Sequence, residues 1–181
     1  MERSRAVFLD RDGTLNVDLK YISDPSHIEL YLGVIAGLRA LQGAGFRLIV
    51  VTNQSGVARG YYTAADVDRL HAHLRGVLAP EGITLDAFYY CPHAPSDGCA
   101  CRKPGTELLT RAAQEHALDL GRSFMIGNSR ADMEAAHRVG VRGVYVRSPG
   151  FHLEPGEAVD DVAFAQAGSF REAAHRILET K

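Results

Sequence analysis

The amino-acid sequence predicts an α/β protein whose parallel β-sheet is covered by helices on both faces. Five short apolar segments lack the alternation of a half-exposed strand, and they lie at residues 7–9, 48–51, 88–90, 124–126 and 143–146. The segments between them repeat apolar residues at helical spacing. Strand and helix therefore alternate along the chain, which favours a doubly wound, Rossmann-like sheet. In such sheets ligands bind at the carboxyl ends of the strands.

The sequence also indicates where several helices begin and end. Thr63 can cap the second helix together with Asp66, whereas Gly43 and Gly45 end the first. Ser169 can begin a last helix that docks on the domain. The one linker-like segment, rich in proline and glycine, is residues 148–161. The apolar repeats that mark the helices lie within residues 35–41, 67–77, 108–112, 133–139 and 170–178.

Length and composition predict one domain and no broad basic field for nucleic acid. The 181 residues, 46% of them apolar, are enough for one hydrophobic core, so we expect a single domain over residues 1–181. A formal net charge of −2 and a pI near 6.4 provide no basic field for nucleic acid. No segment approaches the roughly 20 apolar residues of a membrane span, and the first residues lack the apolar region of a secretory signal. We therefore expect a cytoplasmic protein without membrane partners, with a monomer as the simplest assembly.

The first predicted strand ends in two carboxylates and a glycine turn, formed by Asp10, Asp12 and Gly13. Mg²⁺ prefers oxygen ligands and commonly takes one or two carboxylates together with water and substrate phosphate. Asp10 would attack phosphorus and become transiently phosphorylated. Asp12, on the same side of the strand, would protonate the leaving alkoxide and then activate water. The alternative for this segment taken alone is an acidic turn without a catalytic role.

Three cysteines and one histidine lie close together in the sequence. An odd number of clustered cysteines fits a metal site in a reducing compartment better than a disulfide framework. Thiolate and imidazole ligands suit tetrahedral Zn²⁺, and four filled positions are typical of a structural site. The alternative is a set of buried cysteines near an unrelated histidine. We expect zinc to order the loop over residues 91–101 and to be held by Cys91, His93, Cys99 and Cys101.

The strand-end motifs, taken in order, resemble those of the haloacid dehalogenase superfamily. Residues 8–15, Phe-Leu-Asp-Arg-Asp-Gly-Thr-Leu, resemble its first motif, Asp-x-Asp-Gly-Thr. Thr52 and Lys103 stand where the second and third motifs are expected. The resemblance implies a phosphatase in which Thr52 donates a hydrogen bond to the phosphoryl group and Lys103 neutralises charge on the nucleophile and the phosphoryl oxygens. Each piece alone has an ordinary interpretation as a strand-end threonine or a surface lysine.

The fourth motif departs from the superfamily pattern, because Asn128 stands where an acidic residue is usual. An asparagine carbonyl can still ligate a cation, but it lacks the negative charge that strengthens the bond. Weaker magnesium binding is therefore expected. By resemblance the magnesium ligands are Asp10, Asp12 and Asn128, with Asp132 as the alternative third ligand.

The cysteine-rich loop narrows the resemblance to the subgroup of phosphatases that act on heptose bisphosphates and on histidinol phosphate. Residues 16–21 and 52–60 are closer to the heptose enzymes, whereas the short spacer between His93 and Cys99 resembles the histidinol-phosphate branch. The resemblance implies a minimal cap domain and, as first choice, removal of the 7-phosphate of a heptose 1,7-bisphosphate. Histidinol phosphate as substrate, and a catalytically weakened phosphate-binding module, remain alternatives. The substrate-binding residues implied are Asp18, Tyr21, Asn53, Gln54, Ser55, Arg102 and Ser129.

Overall fold

The computed structural model of the chain describes residues 3–147 and 158–180. Within these residues six parallel strands form one sheet. In chain order the strands are β1 (Ala6–Leu9), β2 (Arg47–Asn53), β3 (Ala87–Cys91), β4 (Phe124–Gly127), β5 (Arg142–Val146) and β6 (Ala165–Ala167). They lie side by side in the order β3-β2-β1-β4-β5-β6. The predicted doubly wound sheet is therefore confirmed.

The first five strands match the five predicted segments, but the sequence does not predict the sixth. β6 consists of Ala-Gln-Ala, so it has neither the length nor the β-branched residues that identify a strand in a sequence. It pairs with β5 at the edge of the sheet, where its position depends on tertiary contacts. Most of the predicted linker, residues 148–157, lies outside the described residues.

The helices begin and end largely where the sequence predicts. Thr63 and Asp66 form a capping box at the second helix, in which the Thr63 hydroxyl accepts from the Asp66 amide at 3.2 Å. The Ser169 hydroxyl accepts from the Glu172 amide and caps the last helix. In the described residues the α-helices are α1 (Val34–Gly43), α2 (Ala64–Leu78), α3 (Glu107–Glu115), α4 (Arg130–Arg138) and α5 (Phe170–Glu179).

Alternate residues of the strands pack on opposite faces of the sheet. In β1, Val7 and Leu9 join a core with α1 and α5, whereas Ala6 and Phe8 join a second core with α3 and α4. All four side chains are fully buried. The strands are thus covered on both faces, which explains why their sequences are continuously apolar.

The carboxyl ends of the central strands meet where the strand order changes direction. β1 lies between β2 and β4, and a crevice opens at this position in doubly wound sheets. The segment from β1 to α1 contains one short 3-10 turn, Pro25–His27, in agreement with the predicted minimal cap. In the described part of the chain, no helix has the length and apolar character needed to span a membrane.

Candidate active site

A cleft of about 440 Å³ lies at the carboxyl ends of β1, β2 and β4. Every predicted catalytic, substrate-binding or magnesium-binding residue lines it except Arg102. The structure therefore brings together side chains that are more than 100 positions apart in sequence. The lining residues are Asp10, Asp12, Asp18, Lys20, Tyr21, Thr52, Asn53, Gln54, Ser55, Tyr62, Lys103, Asn128, Ser129 and Asp132.

A buried ammonium group joins two carboxylates at the base of the cleft. Lys103 Nζ lies 2.7 Å from Asp10 Oδ1 and 2.6 Å from Asp132 Oδ1, and it donates to the Val51 carbonyl at 2.7 Å. Burial alone would lower the pKa of Lys103, but the two carboxylates outweigh burial and raise it. Lys103 is therefore a fixed cation that orients Asp10 by a charge-assisted hydrogen bond.

The Asp10 carboxyl lies in surroundings that disfavour a negative charge. Burial raises the pKa of Asp10 to about 7. The positive charge of Lys103 acts in the opposite direction, whereas repulsion from Asp132 adds to the increase. Two carboxylates share the single Lys103 ammonium, so the base of the cleft carries excess negative charge. A divalent cation would offset that charge, and carboxylate oxygens are the ligands that Mg²⁺ prefers.

Asp12 has hydrogen-bond donors on both oxygens. Arg11 Nε and Asn16 Nδ2 each donate to Asp12 Oδ1 at 3.0 Å, and Arg11 Nη2 and Gln54 Nε2 each donate to Oδ2 at 2.8 Å. Burial would raise the pKa of Asp12, but the charge and hydrogen bonds of Arg11, with Asn16 and Gln54, lower it. The Asp12 carboxylate is held in one orientation at the edge of the cleft.

Gln54 orients two of the predicted catalytic side chains, Asp12 and Thr52. Its Nε2 donates to Thr52 Oγ1 at 2.9 Å as well as to Asp12, and its Oε1 accepts from the Tyr62 hydroxyl at 2.7 Å. Because the Thr52 oxygen accepts this bond, its own hydrogen can point into the cleft. Gln54 is almost completely buried, so its side chain positions neighbours more directly than it reaches a substrate.

Asn53 braces the backbone of the active-site lysine. Its Oδ1 accepts from the Lys103 amide at 3.0 Å, and its Nδ2 donates to the Lys103 carbonyl at 3.1 Å. Asn53 therefore has a structural role in addition to its predicted contact with the substrate. Because Asn53 is the last residue of β2, the end of this strand fixes the loop that contains Lys103.

Asn128 and Asp132 differ in how far their side chains are already engaged. Asp132 Oδ1 pairs with Lys103, and its Oδ2 accepts from the Ser129 amide and hydroxyl at 3.1 and 2.7 Å. The bond that Asn128 Oδ1 accepts from the Thr14 hydroxyl is long, at 3.5 Å. Asn128 is buried beside the turn at Gly13. The amide oxygen of Asn128 is therefore less engaged by protein partners than either oxygen of Asp132.

Two predicted substrate contacts have other partners in the structure. The Ser129 hydroxyl caps α4 through Asp132, so it belongs to a capping box as well as to the cleft. Arg102 does not line the cleft, and its Nη1 lies 3.5 Å from the His93 carbonyl. The contact between Arg102 and the substrate stays a prediction, and in this conformation the side chain lies along the cysteine-rich loop.

Lys20 and Tyr21 form a tight turn at the entrance of the cleft. Both residues have left-handed backbone conformations, with φ of 55° and 54°. Residues other than glycine rarely adopt such conformations. The Lys20 amide donates to Asp18 Oδ1 at 2.8 Å, which holds the turn. Tyr21 packs edge-on against Tyr61, with ring centroids 4.7 Å apart. Within the described residues, the Lys20 ammonium has no ion-pair partner.

The cysteine-rich loop places four metal-binding atoms together at the end of β3. Its thiols and one imidazole nitrogen lie within 4.8 Å of one another, in Cys91, His93, Cys99 and Cys101. Cys99 Sγ is 3.5 Å from both other sulfur atoms, and His93 Nδ1 is 3.2 Å from Cys101 Sγ. Tetrahedral zinc, with bonds near 2.3 Å to sulfur and 2.0 Å to nitrogen, separates its ligands by roughly 3.5–3.8 Å. The cluster can therefore hold a metal ion.

Several residues of the site were not predicted from the sequence. Arg11, Asn16 and His71 lie behind the cleft, whereas Lys20 and Tyr62 line it. Arg11 has a signal in the sequence, because it is a charged residue between the two predicted catalytic carboxylates at the end of an apolar strand. A buried arginine there requires acceptors, and Asp12 is the nearest. His71 and Tyr62 come from α2 and the segment before it, and only the fold brings them close.

The family model of HAD-hydrolase-like proteins matches residues 100–173. Together with the sheet order and the cleft, this match defines a hydrolase of the haloacid dehalogenase class. D-glycero-β-D-manno-heptose-1,7-bisphosphate 7-phosphatase of Helicobacter pylori strain ATCC 700392 is 44% identical over 75% of this chain and 79% of its own length. The Escherichia coli K12 enzyme of the same name is 43% identical over 72% of each chain. The chain belongs to this family of heptose-bisphosphate phosphatases, and it is a phosphatase.

A solved structure agrees with this assignment over nearly the whole chain. The D,D-heptose 1,7-bisphosphate phosphatase of B. bronchiseptica, complexed with magnesium and phosphate, has a TM-score of 0.89 and 28% identity. The similarity covers 98% of this chain and 99% of that one. The fold described above is thus that of a phosphatase whose structure contains magnesium and phosphate.

Proposed function

We propose that this phosphatase removes the 7-phosphate of D-glycero-D-manno-heptose 1,7-bisphosphate through a phosphorylated Asp10. The observation that carries the proposal is the 2.7 Å contact between Lys103 Nζ and Asp10 Oδ1 in a cleft beside Thr52. The substrate is that of the relatives described above, which match at 43–44% identity.

The first step forms a bond between Asp10 and phosphorus and breaks the bond from phosphorus to the sugar oxygen. Lys103 holds Oδ1 of Asp10, which leaves Oδ2 to attack. Because Asp12 is ionised in the free protein, it takes up a proton from solvent as the negatively charged phosphate enters the cleft. It then delivers that proton to the departing sugar oxygen, so that the sugar leaves as an alcohol. Thr52 donates to a phosphoryl oxygen, and Lys103 compensates the charge that develops on the others.

The second step reverses the roles of the two carboxylates. Asp12, now ionised, takes a proton from a water molecule whose oxygen attacks phosphorus. The bond between phosphorus and Asp10 breaks, and inorganic phosphate leaves. The same carboxylate acts first as acid and then as base, which requires it to stay in one place through both steps.

A magnesium ion fits the residues at the base of the cleft. Asp10, Asp12 and Asn128 would hold it, because they lie at adjacent strand ends and oxygen atoms are the ligands that Mg²⁺ prefers. The Asp10 carboxylate and the Asn128 amide oxygen are the less engaged of these groups, since each Asp12 oxygen already accepts two hydrogen bonds. When bound, the ion neutralises charge between the nucleophile and the phosphate. The binding is expected to be weak for a site of this kind, since Asn128 contributes no charge.

A zinc ion fits the cysteine-rich loop, where it would act as a structural ion. Burial raises the pKa of the Cys91 thiol, and three thiols this close together repel one another when ionised. A divalent cation would remove that repulsion and fix the loop. The abundance of thiol ligands also favours a reducing, cytoplasmic setting for a single-domain protein, for which a monomer remains the simplest assembly.

The charge at the entrance favours a second phosphate over the ammonium group of histidinol phosphate. Lys103 is already paired with Asp10 and Asp132, whereas Lys20 lines the cleft without an ion-pair partner among the described residues. The Lys20 ammonium would attract an anionic group at the far end of the substrate and would repel a cationic one. Lys20 therefore supports a sugar bisphosphate as the substrate.

A phosphate-release assay tests the proposed function. Purified protein with Mg²⁺ should hydrolyse heptose 1,7-bisphosphate faster than histidinol phosphate, and Asp10→Asn should reduce turnover by about 10³-fold or more because an amide cannot accept the phosphoryl group. Lys20→Gly suits the left-handed backbone and should reduce the preference for the bisphosphate over an aryl phosphate. Absence of turnover in the wild-type protein would instead support the weakened phosphate-binding module, and a preference for histidinol phosphate would reverse the substrate assignment.

A magnesium titration of activity identifies the third ligand. Asn128→Asp adds a negative charge beside the cation, so the half-saturating magnesium concentration should fall by about 10-fold. Asp132→Asn serves as the matched variant, and it should change that concentration less, because both Asp132 oxygens already have partners. A response to Asp132→Asn alone would make Asp132 the ligand.

Metal analysis and thermal unfolding test the zinc assignment. Protein prepared without chelator should contain about one zinc per chain, and Cys91→Ser or Cys101→Ser should lower both zinc content and melting temperature because a structural metal contributes directly to folding. Ser96→Ala is the matched control, since Ser96 lies in the same loop but outside the cluster of ligand atoms, and this variant should retain zinc. Full thermal stability in zinc-free protein would contradict a structural role.

A further inference from the structure

We propose that Arg11 and His71 are positioning residues that hold the Asp12 carboxylate in place for proton transfer. The inference rests on the proposed phosphatase mechanism and adds a role for two buried groups that the mechanism does not otherwise use. Neither residue lines the cleft. They act through Asp12.

Arg11 is completely buried although it carries a permanent positive charge. A buried guanidinium is costly unless its donors find acceptors. Arg11 Nε and Nη2 satisfy this need with the two oxygens of Asp12, at 3.0 and 2.8 Å. The two parallel bonds form a fork that fixes the plane of the carboxylate as well as its position.

His71 holds the third nitrogen of Arg11. Arg11 Nη1 lies 3.4 Å from His71 Nε2, and His71 is 4% exposed. Burial, with the charge of Arg11, lowers the pKa of His71 to about 3, so the ring is neutral and Nε2 can accept. The ring itself cannot turn freely, because it stacks on Phe88 with centroids 4.4 Å apart.

The arrangement links α2 and β3 to the catalytic acid. His71 belongs to α2 and Phe88 belongs to β3, so regular secondary structure fixes both side chains. Arg11 contacts both His71 and Asp12, and it therefore restricts the movement of the Asp12 carboxylate. Displacement by about 1 Å of a group that transfers a proton can cost on the order of 10²-fold in rate. A fork that removes such freedom therefore contributes to catalysis without contact with the substrate.

The test uses two substrates that differ in their need for an acid. A sugar phosphate leaves as an alkoxide unless it is protonated, whereas 4-nitrophenyl phosphate leaves as a stable anion. Arg11→Lys keeps the charge but loses the fork, so kcat/KM for the sugar phosphate should fall by about 10²-fold and that for 4-nitrophenyl phosphate by less than about 10-fold. Arg142→Lys is the matched control, because Arg142 is partly buried against Phe124 at the far end of the sheet. It should leave the ratio unchanged.

His71 provides a second pair of variants if Arg11→Lys does not fold. His71→Gln retains an acceptor, whereas His71→Leu removes it, so only His71→Leu should lower the sugar-phosphate rate selectively, by roughly 10-fold. Equal losses with both substrates in Arg11→Lys or His71→Leu, or no loss in either, would overturn the positioning role. Wild-type protein that hydrolyses neither substrate would overturn the proposed function and this inference together.

Discussion

The ion pairs of Lys103 are the interaction on which the rest of the site depends. One ammonium group, 4% exposed, joins Asp10 after β1 to Asp132 in α4 and also binds the Val51 carbonyl in β2. The Lys103 ammonium therefore links the end of β1, the strand β2 and the helix α4. Removal of that charge would leave two carboxylates buried without compensation, which costs about 3–5 kcal/mol in comparable pairs. Asp10 is thus oriented by the same group that joins these three elements.

The loop that delivers Lys103 contains too few apolar residues to pack by itself. It runs from the cysteine-rich cluster into Lys103, only two positions after Cys101. At its end Asn53 binds both the amide and the carbonyl of Lys103. The loop is therefore fixed at one end by four clustered ligand atoms and at the other by the end of β2. A cluster that can hold a metal ion is thus connected directly to the segment that positions Lys103.

The fold, and the meeting of the predicted site residues at one cleft, could be predicted because they follow from local patterns. Continuous apolar strands between helical repeats predict a covered parallel sheet, and Asp10 and Asp12 stand directly at a strand end. β6 could not be predicted, because three residues carry no periodicity. The contacts of Gln54 and Arg102 could not be predicted either: Gln54 donates to Asp12 and Thr52, and Arg102 lies along its loop. The partners of buried polar groups depend on packing that no local pattern contains.

In the proposed mechanism the phosphoryl group is transferred first to Asp10 and then to water, in two displacements. The most direct measurement is the stereochemical course at phosphorus, followed with a substrate whose transferred thiophosphoryl group carries two oxygen isotopes and with water that supplies the third. Each in-line displacement inverts phosphorus. Attack by Asp10 and then by water therefore predicts net retention of configuration in the released thiophosphate. Net inversion would mean that water attacks the substrate directly, and it would contradict a phosphorylated Asp10.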